Sequence, residues 1–461
     1  MNPIFYKYDI FPMVIPANKE SVITIKPVDF SSAFEAGKVY DIRILPTDEG
    51  WYRNYPDRDN DITFTAVAES DGSIKVKYAF GDEQMYFIRI SKPEDNFKNE
   101  KEFRVYAVAE DLQGRYPFMG DLHIHTRRSD GREAPETVVS NYRQYGYDFI
   151  AVTDHRRYYP SLDAIAKFKD VPIEMAIFPG EEVHMSNSKG RIDPHIVAFG
   201  GEFSVNALRL ESEHDKDVGT DLSRRAIRTE NVPDVMTDAE FEAIIEKEAE
   251  KYADEIPYES ERYTYAGMKW IFDKIREANG LAIFAHPYWL NEARHVPETF
   301  LEYIMEKHEF DAFEVLGGEN YFEHNGFQTI RYYEDLAKGR KYPIVGSTDS
   351  HSSLPTNRNR DVCETMVFAH ENERKDIIAS IKDFYSVAID TISKEPRFVG
   401  DMRLVRYACF LKDYFFPLHD ELCFEEGRAM RAYAMGDESA ADVLRAINGR
   451  MKRQREKYFA I

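Results

Sequence analysis

Six short fragments of this sequence carry residues that can bind a divalent metal ion. The first, at residues 121–126, reads Asp-Leu-His-Ile-His-Thr and places His123 and His125 at the end of an apolar run. Side chains repeat with period two along a strand, so the histidines of a His-x-His pair at a strand end point the same way. Two neutral imidazoles on one side of a pocket supply half of a metal site. The other fragments are Ser129-Asp130-Gly131, Thr153-Asp154-His155, Gly180-Glu181-Glu182, Ala285-His286-Pro287 and Gly346-Ser347-Thr348-Asp349-Ser350-His351.

These fragments lie at the ends of a repeated pattern of strand, loop and helix. Amphipathic helices are predicted between several of the apolar runs, which occupy residues 118–124, 148–152, 173–178, 195–199, 281–285, 312–316 and 342–346. Seven repeats of the βα type predict a barrel of parallel strands, which carries its chemistry at the C-terminal strand ends. The sequence therefore predicts that the fragments share one site.

The chain divides into three predicted regions. Residues 1–115 alternate apolar and polar residues in short segments separated by turns, which predicts an antiparallel β-sandwich. Residues 116–396 hold the βα repeats, interrupted by a charge-rich insertion at 202–262, and residues 397–461 are predicted to form a helical C-terminal extension. Because the insertion leaves the strand that carries His195, we expect it to overhang the site as a lid or specificity element, with a solvated surface excursion as the alternative. Thr237 is the predicted N-cap of a helix in this insertion.

The order of the fragments resembles the PHP superfamily, named for polymerase and histidinol phosphatase. DLHIHT followed by SDG matches its first motif, TDH the second, and GxE, AHP and GSxDSH the later ones, over about residues 118–395. The resemblance implies an α/β fold with a distorted (β/α)7 barrel, and three divalent metal ions, with zinc, manganese and iron as the candidates. It also implies hydrolysis of phosphate esters.

The resemblance assigns nine ligands to these three ions, with Glu182 rather than Glu181 as a bridge between the first two. It implies a first ion held by His123, His125, Glu182 and Asp349, a second held by Glu182, His195 and His286, and a third held by Asp130, His155 and His351.

Ligands of these types suit a hydrolase that uses metal ions. Imidazole and carboxylate groups accept zinc, manganese or iron, and a bridging carboxylate holds two cations near the roughly 3.5–4 Å spacing of two-metal hydrolases. Such a pair lowers the pKa of a shared water towards about 7 and offsets the charge that develops on phosphoryl oxygens. The sequence contains neither a GxSxG nucleophile motif nor a GxxxxGK[ST] loop. Asp154 is a candidate catalytic proton acceptor, with orientation of a ligand or a turn as the alternatives.

Arginines close to the fragments indicate an anionic substrate. A guanidinium group can pair with a phosphate through two parallel hydrogen bonds. For any one of these arginines the alternative is an ordinary surface position. The candidates for phosphate contacts are Arg128, Arg156, Arg157, Arg191 and Arg358.

Composition narrows the possible partners. The chain has 461 residues, a net charge of -22 and a pI near 5.1, which disfavours non-specific binding to nucleic acid or to an anionic membrane. Three cysteines without a CxxC motif predict reduced thiols in the cytoplasm. We find neither a signal-peptide pattern nor an apolar run near the roughly 20 residues of a membrane span. The sequence leaves the oligomeric state open.

The sequence thus predicts a metal-dependent phosphoesterase whose substrate is a small phosphorylated metabolite, a nucleotide or a short oligonucleotide. One alternative is a nuclease that acts on nucleic-acid ends, which the acidic charge disfavours. Another is a metal- or phosphate-binding module without catalysis, which the complete set of ligands disfavours.

Overall fold

The protein has a mixed α/β fold with several sheets and helices, as the sequence predicts. The computed structural model describes residues 3–48, 62–95, 99–185, 192–210, 232–291, 293–317, 322–354, 363–391 and 396–461. The chain divides into two compact units. The first unit comprises Met1–Tyr116, Val405–Leu422 and Gly449–Ile461, and the second comprises Pro117–Leu404 and Cys423–Asn448. The boundaries predicted from the sequence stay a prediction.

Alternating apolar and polar residues build the sheets of the first unit. Its described strands are β1 (Tyr8–Phe11), β2 (Val14–Pro16), β3 (Lys19–Pro27), β4 (Val39–Pro46), β5 (Ile62–Val67), β6 (Ile74–Phe80), β7 (Gln84–Ser91) and β8 (Lys101–Val108). They form a three-stranded sheet in the order β1-β3-β6 and a five-stranded sheet in the order β2-β8-β7-β4-β5. Strands β2 and β8 run parallel, whereas the other pairs are antiparallel. Side chains of both sheets, among them Ile23, Ile42 and Val105, share one hydrophobic core.

The second unit contains shorter strands, several of them buried along their whole length. They are β9 (Tyr116–Asp121), β10 (Phe149–Ala151), β11 (Ala176–Phe178), β12 (Gly180–Val183), β13 (Ile196–Phe199), β14 (Arg209–Leu210), β15 (Met236–Thr237), β16 (Leu281–Phe284), β17 (Leu290–Asn291), β18 (Ala293–Arg294), β19 (Ala312–Leu316), β20 (Ile344–Gly346), β21 (Cys363–Ala369), β22 (Ser386–Asp390) and β23 (Arg397–Val399). Strands β10, β16 and β19 are buried at every position, which explains why they read as continuous apolar runs.

Helices connect many of these strands. They are α1 (Pro135–Gln144), α2 (Tyr159–Phe168), α3 (Asp238–Ala249), α4 (Glu259–Glu277), α5 (Glu298–Lys307), α6 (Phe322–Ala337), α7 (Arg374–Lys382), α8 (Met402–Tyr414), α9 (Phe416–Ala434), α10 (Ala440–Ile447) and α11 (Arg450–Tyr458). In the described part of the chain, none of them combines the length and the apolar character that crossing a membrane requires.

Two larger sheets form the framework of the second unit. One has the order β11-β10-β9-β21-β22-β23 and the other the order β12-β13-β16-β19-β20. Strands β9, β10 and β11 run parallel, as do β16, β19 and β20. The parallel direction predicted for residues 195–199 is wrong, because β13 pairs antiparallel with both β12 and β16.

The reversal of β13 changes how the insertion enters the fold. His195 precedes β13, whereas the chain leaves the strand at Phe199, its opposite end. The reason for expecting the insertion to overhang the site is therefore wrong, because the insertion does not start at the end that carries His195. The predicted helix start at Thr237 is confirmed, since its hydroxyl accepts a hydrogen bond from the backbone N–H of Glu240.

Candidate metal centre

Nine side chains that the sequence predicts as ligands converge in the second unit. They come from the ends of six strands and one nearby loop, so each motif borders an apolar run. Their positions are as follows: His123 and His125 follow β9, Asp130 lies before α1, His155 follows β10, Glu182 lies in β12, His195 precedes β13, His286 follows β16, and Asp349 and His351 follow β20.

The side chains of His123 and His125 point to the same side of the strand, as the period of two along a strand predicts. Their Nε2 atoms lie 3.3 Å apart. Oδ1 of Asp349 lies 2.8 Å from Nε2 of His125 and 3.3 Å from Nε2 of His123. On the far side of the ring, Nδ1 of His123 lies 3.1 Å from Oε2 of Glu314. A proton on Nδ1 donates to this carboxylate, which leaves the lone pair of Nε2 facing the cluster.

Glu182 is completely buried at the centre of the cluster. Its Oε1 lies 2.7 Å from Nδ1 of His195, 3.4 Å from Nε2 of His123 and 3.5 Å from Nε2 of His286. Its Oε2 contacts Nδ1 of His155. One carboxylate thus faces histidines with each of its oxygens, which is the geometry required of a bridging ligand.

A further group of possible ligands surrounds Asp130. Its Oδ2 lies 3.2 Å from Nε2 of His351 and 3.4 Å from Nε2 of His155. The ring of His125 stacks on that of His351, with centroids 4.4 Å apart, and joins the same group. The side chain of Asp130 is 47% exposed, so this group borders solvent.

The adjacent carboxylates Glu181 and Glu182 serve different faces of β12. Glu181 is also completely buried, but its oxygens accept hydrogen bonds from the hydroxyl of Ser204 at 2.8 Å, the backbone N–H of Val205 at 2.5 Å and the amide of Asn206 at 2.9 Å. Successive strand side chains point to opposite faces. Glu181 therefore anchors the start of the insertion, and Glu182 faces the cluster.

Several buried atoms of the cluster fit a role as metal ligands. Both carboxylate oxygens of Glu182, both ring nitrogens of His286 and Nδ1 of His195 are buried without a hydrogen-bond partner among the described residues. Leaving buried polar atoms unsatisfied costs about 1–3 kcal/mol each, and bound cations would satisfy the oxygens of Glu182 and one ring nitrogen of each histidine. His286 and Asp349 also have positive φ angles of 23° and 49°, a strained backbone that concentrates at functional sites.

Electrostatics sets the protonation of the cluster. Burial alone would raise the pKa of Glu182, but the neighbouring imidazoles of His155 and His195 lower it well below its usual range. Burial, followed by the charges of His155 and His351, lowers the pKa of His125 to about 4. Near neutral pH, Glu182 is therefore an anion and His125 a neutral imidazole, the forms that bind cations.

Buried aspartates hold the ligand-bearing loops together. Asp154 accepts hydrogen bonds from the N–H and hydroxyl of Thr126 at 2.8 and 2.6 Å, and from those of Ser129 at 3.1 and 2.6 Å. Asp121 accepts from the N–H of His123 at 3.2 Å and the hydroxyl of Thr348 at 2.6 Å. Each carboxylate fixes a loop next to predicted ligands. The hydrogen bonds of Asp154 favour a positioning role, and its predicted catalytic role stays a prediction.

Three residues near the cluster were not among the predicted ligands. His184 lies two residues after Glu182, with Nε2 2.8 Å from Nδ1 of His155. A carboxylate oxygen of Asp193 contacts Nδ1 of His184, and a carboxylate oxygen of Glu314 contacts Nδ1 of His123. The period of two from Glu182 could have indicated His184, because the two side chains share a face of the strand.

The predicted phosphate-binding arginines occupy different surroundings. Arg156 lies 3.8 Å from Asp193 at the edge of the cluster. Arg128 pairs with Asp163 of α2 at 3.1 Å, and Arg157 is only 2% exposed. Arg191 and Arg358 lie outside the described residues. Contact with substrate stays a prediction for all five.

Comparisons with known proteins find distant structural similarities. No protein-family model matches the sequence, and a search of curated proteins finds no match. A two-domain protein from Bacteroides vulgatus, predicted to contain a PHP-like metal-dependent phosphoesterase, has a similar structure, with 16% identity and a TM-score of 0.37. The match covers 60% of this chain and 66% of that protein, slightly less than two thirds of its length.

Two more solved structures show similarity at the same level. A Bifidobacterium adolescentis protein, assigned by prediction as a metal-dependent phosphoesterase, shares 17% identity over 52% of this chain and 90% of its own, with a TM-score of 0.32. An amidohydrolase from Chromobacterium violaceum shares 15% identity over 51% of this chain and 88% of its own, with a TM-score of 0.29. Similarities this low carry no argument about activity, so the proposal below rests on the motifs and on the cluster.

Proposed function

We propose that this chain is a metal-dependent phosphoesterase of the PHP type that hydrolyses a small phosphorylated metabolite, a nucleotide or a short oligonucleotide. The observation that carries the proposal is the convergence on Glu182 of ligand-type side chains from separate strand ends. Their buried atoms without hydrogen-bond partners add support, because a cluster with no ion would leave them unsatisfied.

The proposed cofactors are three divalent ions of zinc, manganese or iron. Groups of side chains able to hold an ion include His123 with His125 and Asp349, and His123 with Glu182 and His286. The third ion is assigned to the group around Asp130. When bound, such ions activate water and clamp phosphoryl oxygens.

We further propose that the two larger sheets of the second unit close into a distorted (β/α)7 barrel. Two parallel bridges support closure: Ile124 pairs with Ser350 beyond β9 and β20, and His155 pairs with Glu182 beyond β10. If β11 and β12 are counted as one strand interrupted at Pro179, the ring contains seven strand positions: β9, β10, β11 with β12, β13, β16, β19 and β20. Closure would bring all ligand-bearing strand ends to one rim.

The roles proposed for the chain's own groups follow from their contacts. Glu182 and Asp349 supply negative charge to hold cations, and Glu314 fixes the orientation of His123. Asp154 and Asp121 hold the loops that carry the ligands in place. Of the described arginines, Arg156 lies beside Asp193, which contacts His184 next to the cluster, and is a proposed phosphate contact. None of the three cysteines forms a disulfide in the described structure, which supports the proposed cytoplasmic location.

Metal analysis combined with a phosphatase assay tests the proposal. The purified protein should contain divalent metal by elemental analysis, and should hydrolyse a generic aryl phosphate until a chelator is added. A protein that binds no divalent metal and hydrolyses nothing under any cation would refute the proposal.

A substrate panel then separates the alternatives. The proposal expects turnover of phosphorylated metabolites, nucleotides or oligonucleotides of a few residues. Activity confined to the ends of long DNA or RNA would identify a nuclease instead. Full metal content without hydrolysis of any member would identify a binding module.

A further inference from the structure

His184 lies against the predicted ligands, although the family motifs do not include it. The register of β12 and β13 pairs Val183 with Ile196, and one further step places His184 opposite His195. Their ring centroids lie 4.1 Å apart. His184 is 9% exposed and lies two positions after Glu182, so the two side chains share a face of the strand.

Asp193 orients the ring of His184. Oδ2 of Asp193 lies 3.2 Å from Nδ1 of His184, and its Oδ1 accepts a hydrogen bond of 2.7 Å from the N–H of Met185. Arg156 lies 3.8 Å from the same Oδ2 and places a positive charge beside the carboxylate. A carboxylate beside one ring nitrogen retains the proton there and turns the other nitrogen, as a lone-pair donor, towards a metal. In His184 that other nitrogen is Nε2.

The distances around Nε2 of His184 fit shared coordination. Two atoms bound to one ion lie within about 4.2 Å of each other, because each bond is about 2.1 Å long. Nε2 of His184 lies 2.8 Å from Nδ1 of His155 and 3.7 Å from Oε2 of Glu182. Nδ1 of His155 and Oε2 of Glu182 are in direct contact with each other. All three pairs are inside the limit.

We propose that His184 is an additional metal ligand that, together with His155 and Glu182, holds a divalent ion on the Oε2 side of Glu182. His155 then lies between two groups of ligands, with Nδ1 facing this ion and Nε2 facing Asp130. The inference rests on the proposed function, because the ion belongs to the same centre. It adds a ligand, His184, and the carboxylate of Asp193 that orients it, neither of which the family motifs supply.

Metal content and metal affinity test the inference without an activity assay. Wild type, His184→Ala and Asp193→Asn are loaded with Zn²⁺ or Mn²⁺, analysed for bound metal and titrated with a competing chelator. His184→Ala should lose one equivalent of metal, or bind one ion at least ~10-fold more weakly. Asp193→Asn should lower the affinity for that ion by ~10–100-fold, the usual effect of removing a carboxylate that contacts a histidine ligand. His370→Ala, at an exposed position, is the matched control and should load like wild type.

The possible results separate the two proposals. A wild-type protein that binds no divalent metal overturns both the proposed function and this inference. A wild-type protein that is loaded and active, with His184→Ala loading equally well, overturns the inference alone. If circular dichroism shows that His184→Ala does not fold, the Asp193→Asn titration decides, and unchanged affinity in that variant overturns the inference.

Discussion

Nδ1 of His195 lies 2.7 Å from Oε1 of Glu182, although the two residues reach this contact from strands that run in opposite directions. The register pairs Glu182 with Val197, and His195 lies two residues before Val197. Both side chains therefore occupy the same face, as diagonal neighbours across the strand pair. The reversal of β13 is what allows a residue before a strand to meet residues that follow other strands.

The adjacent residues Glu181 and Glu182 should affect different properties when each is changed to glutamine. Glu182→Gln removes the central charge of the cluster, so metal binding and aryl-phosphate hydrolysis should fall by more than the ~10–100-fold typical of outer-shell changes. Glu181→Gln disturbs the anchor of Ser204 to Asn206, so the free energy of unfolding should fall by ~1–3 kcal/mol. Elemental analysis and denaturant unfolding measure the two effects. Equal metal loss in both variants would contradict this division.

Removing the metal should destabilise the protein. Bound cations would satisfy the buried oxygens of Glu182 and one ring nitrogen of His286, which have no hydrogen-bond partner among the described residues. An ion present at 100 times its Kd stabilises the folded state by ~2.7 kcal/mol. Differential scanning calorimetry should therefore show a lower Tm after chelation, and recovery when zinc or manganese is returned. An unchanged Tm would count against ligation by these atoms.

Asp154→Asn should damage the loop of the first motif more than it damages chemistry. The asparagine retains the shape but loses an acceptor for the Thr126 and Ser129 hydrogen bonds, so the free energy of unfolding should fall by ~1–3 kcal/mol. Residual hydrolysis with the wild-type pH profile should remain. Undiminished stability together with complete loss of activity would instead favour Asp154 as the proton acceptor.

A pH-dependent contribution to stability is expected outside the ligand cluster, where Glu302 of α5 pairs with Arg331 of α6. Burial alone would raise the pKa of Glu302, but the hydrogen bond from Arg340 and the charge of Arg331 lower it from 4.5 to about 2. The stabilisation is therefore present above the ordinary value of 4.5 and is lost as pH falls towards 2. The pair is 38% exposed on the Glu302 side, so solvent screens it and the effect is small.

Thermal unfolding of Glu302→Gln checks this sign. Its Tm should lie below that of wild type near neutral pH, and the difference should shrink as the pH falls below about 4. Exposed Glu438, outside this ion-pair network, provides a matched Glu→Gln control with no such trend. A difference that grows on acidification would contradict the assignment.

Much of the site could be predicted because its residues lie in short, ordered motifs. His123, His125 and His155 follow apolar runs, and period two is enough to direct the first pair. The helix start at Thr237 was equally accessible, since a capping box is a local pattern.

Other features depend on contacts that the local sequence does not encode. The apolar run 195–199 predicts a strand but not the direction of that strand. The antiparallel direction becomes visible only in its pairing with β12 and β16. Asp121 accepts a hydrogen bond from Thr348 across 227 positions, so this contact has no local sequence signal. His184 had a signal, its spacing from Glu182, but it belongs to no motif of the family.

The orientation of β13 also determines on which side of the strand the chain tolerates changes in length. His195 is tied to the ligand cluster at one end of the strand, so residues added or removed between Glu182 and His195 would displace a ligand. The chain leaves the strand at its other end, and Glu181 then anchors Ser204 to Asn206, so a change in length beyond this anchor should not displace His195. Protein engineers seeking a position for a fused reporter or a regulatory module should therefore choose the side beyond Asn206.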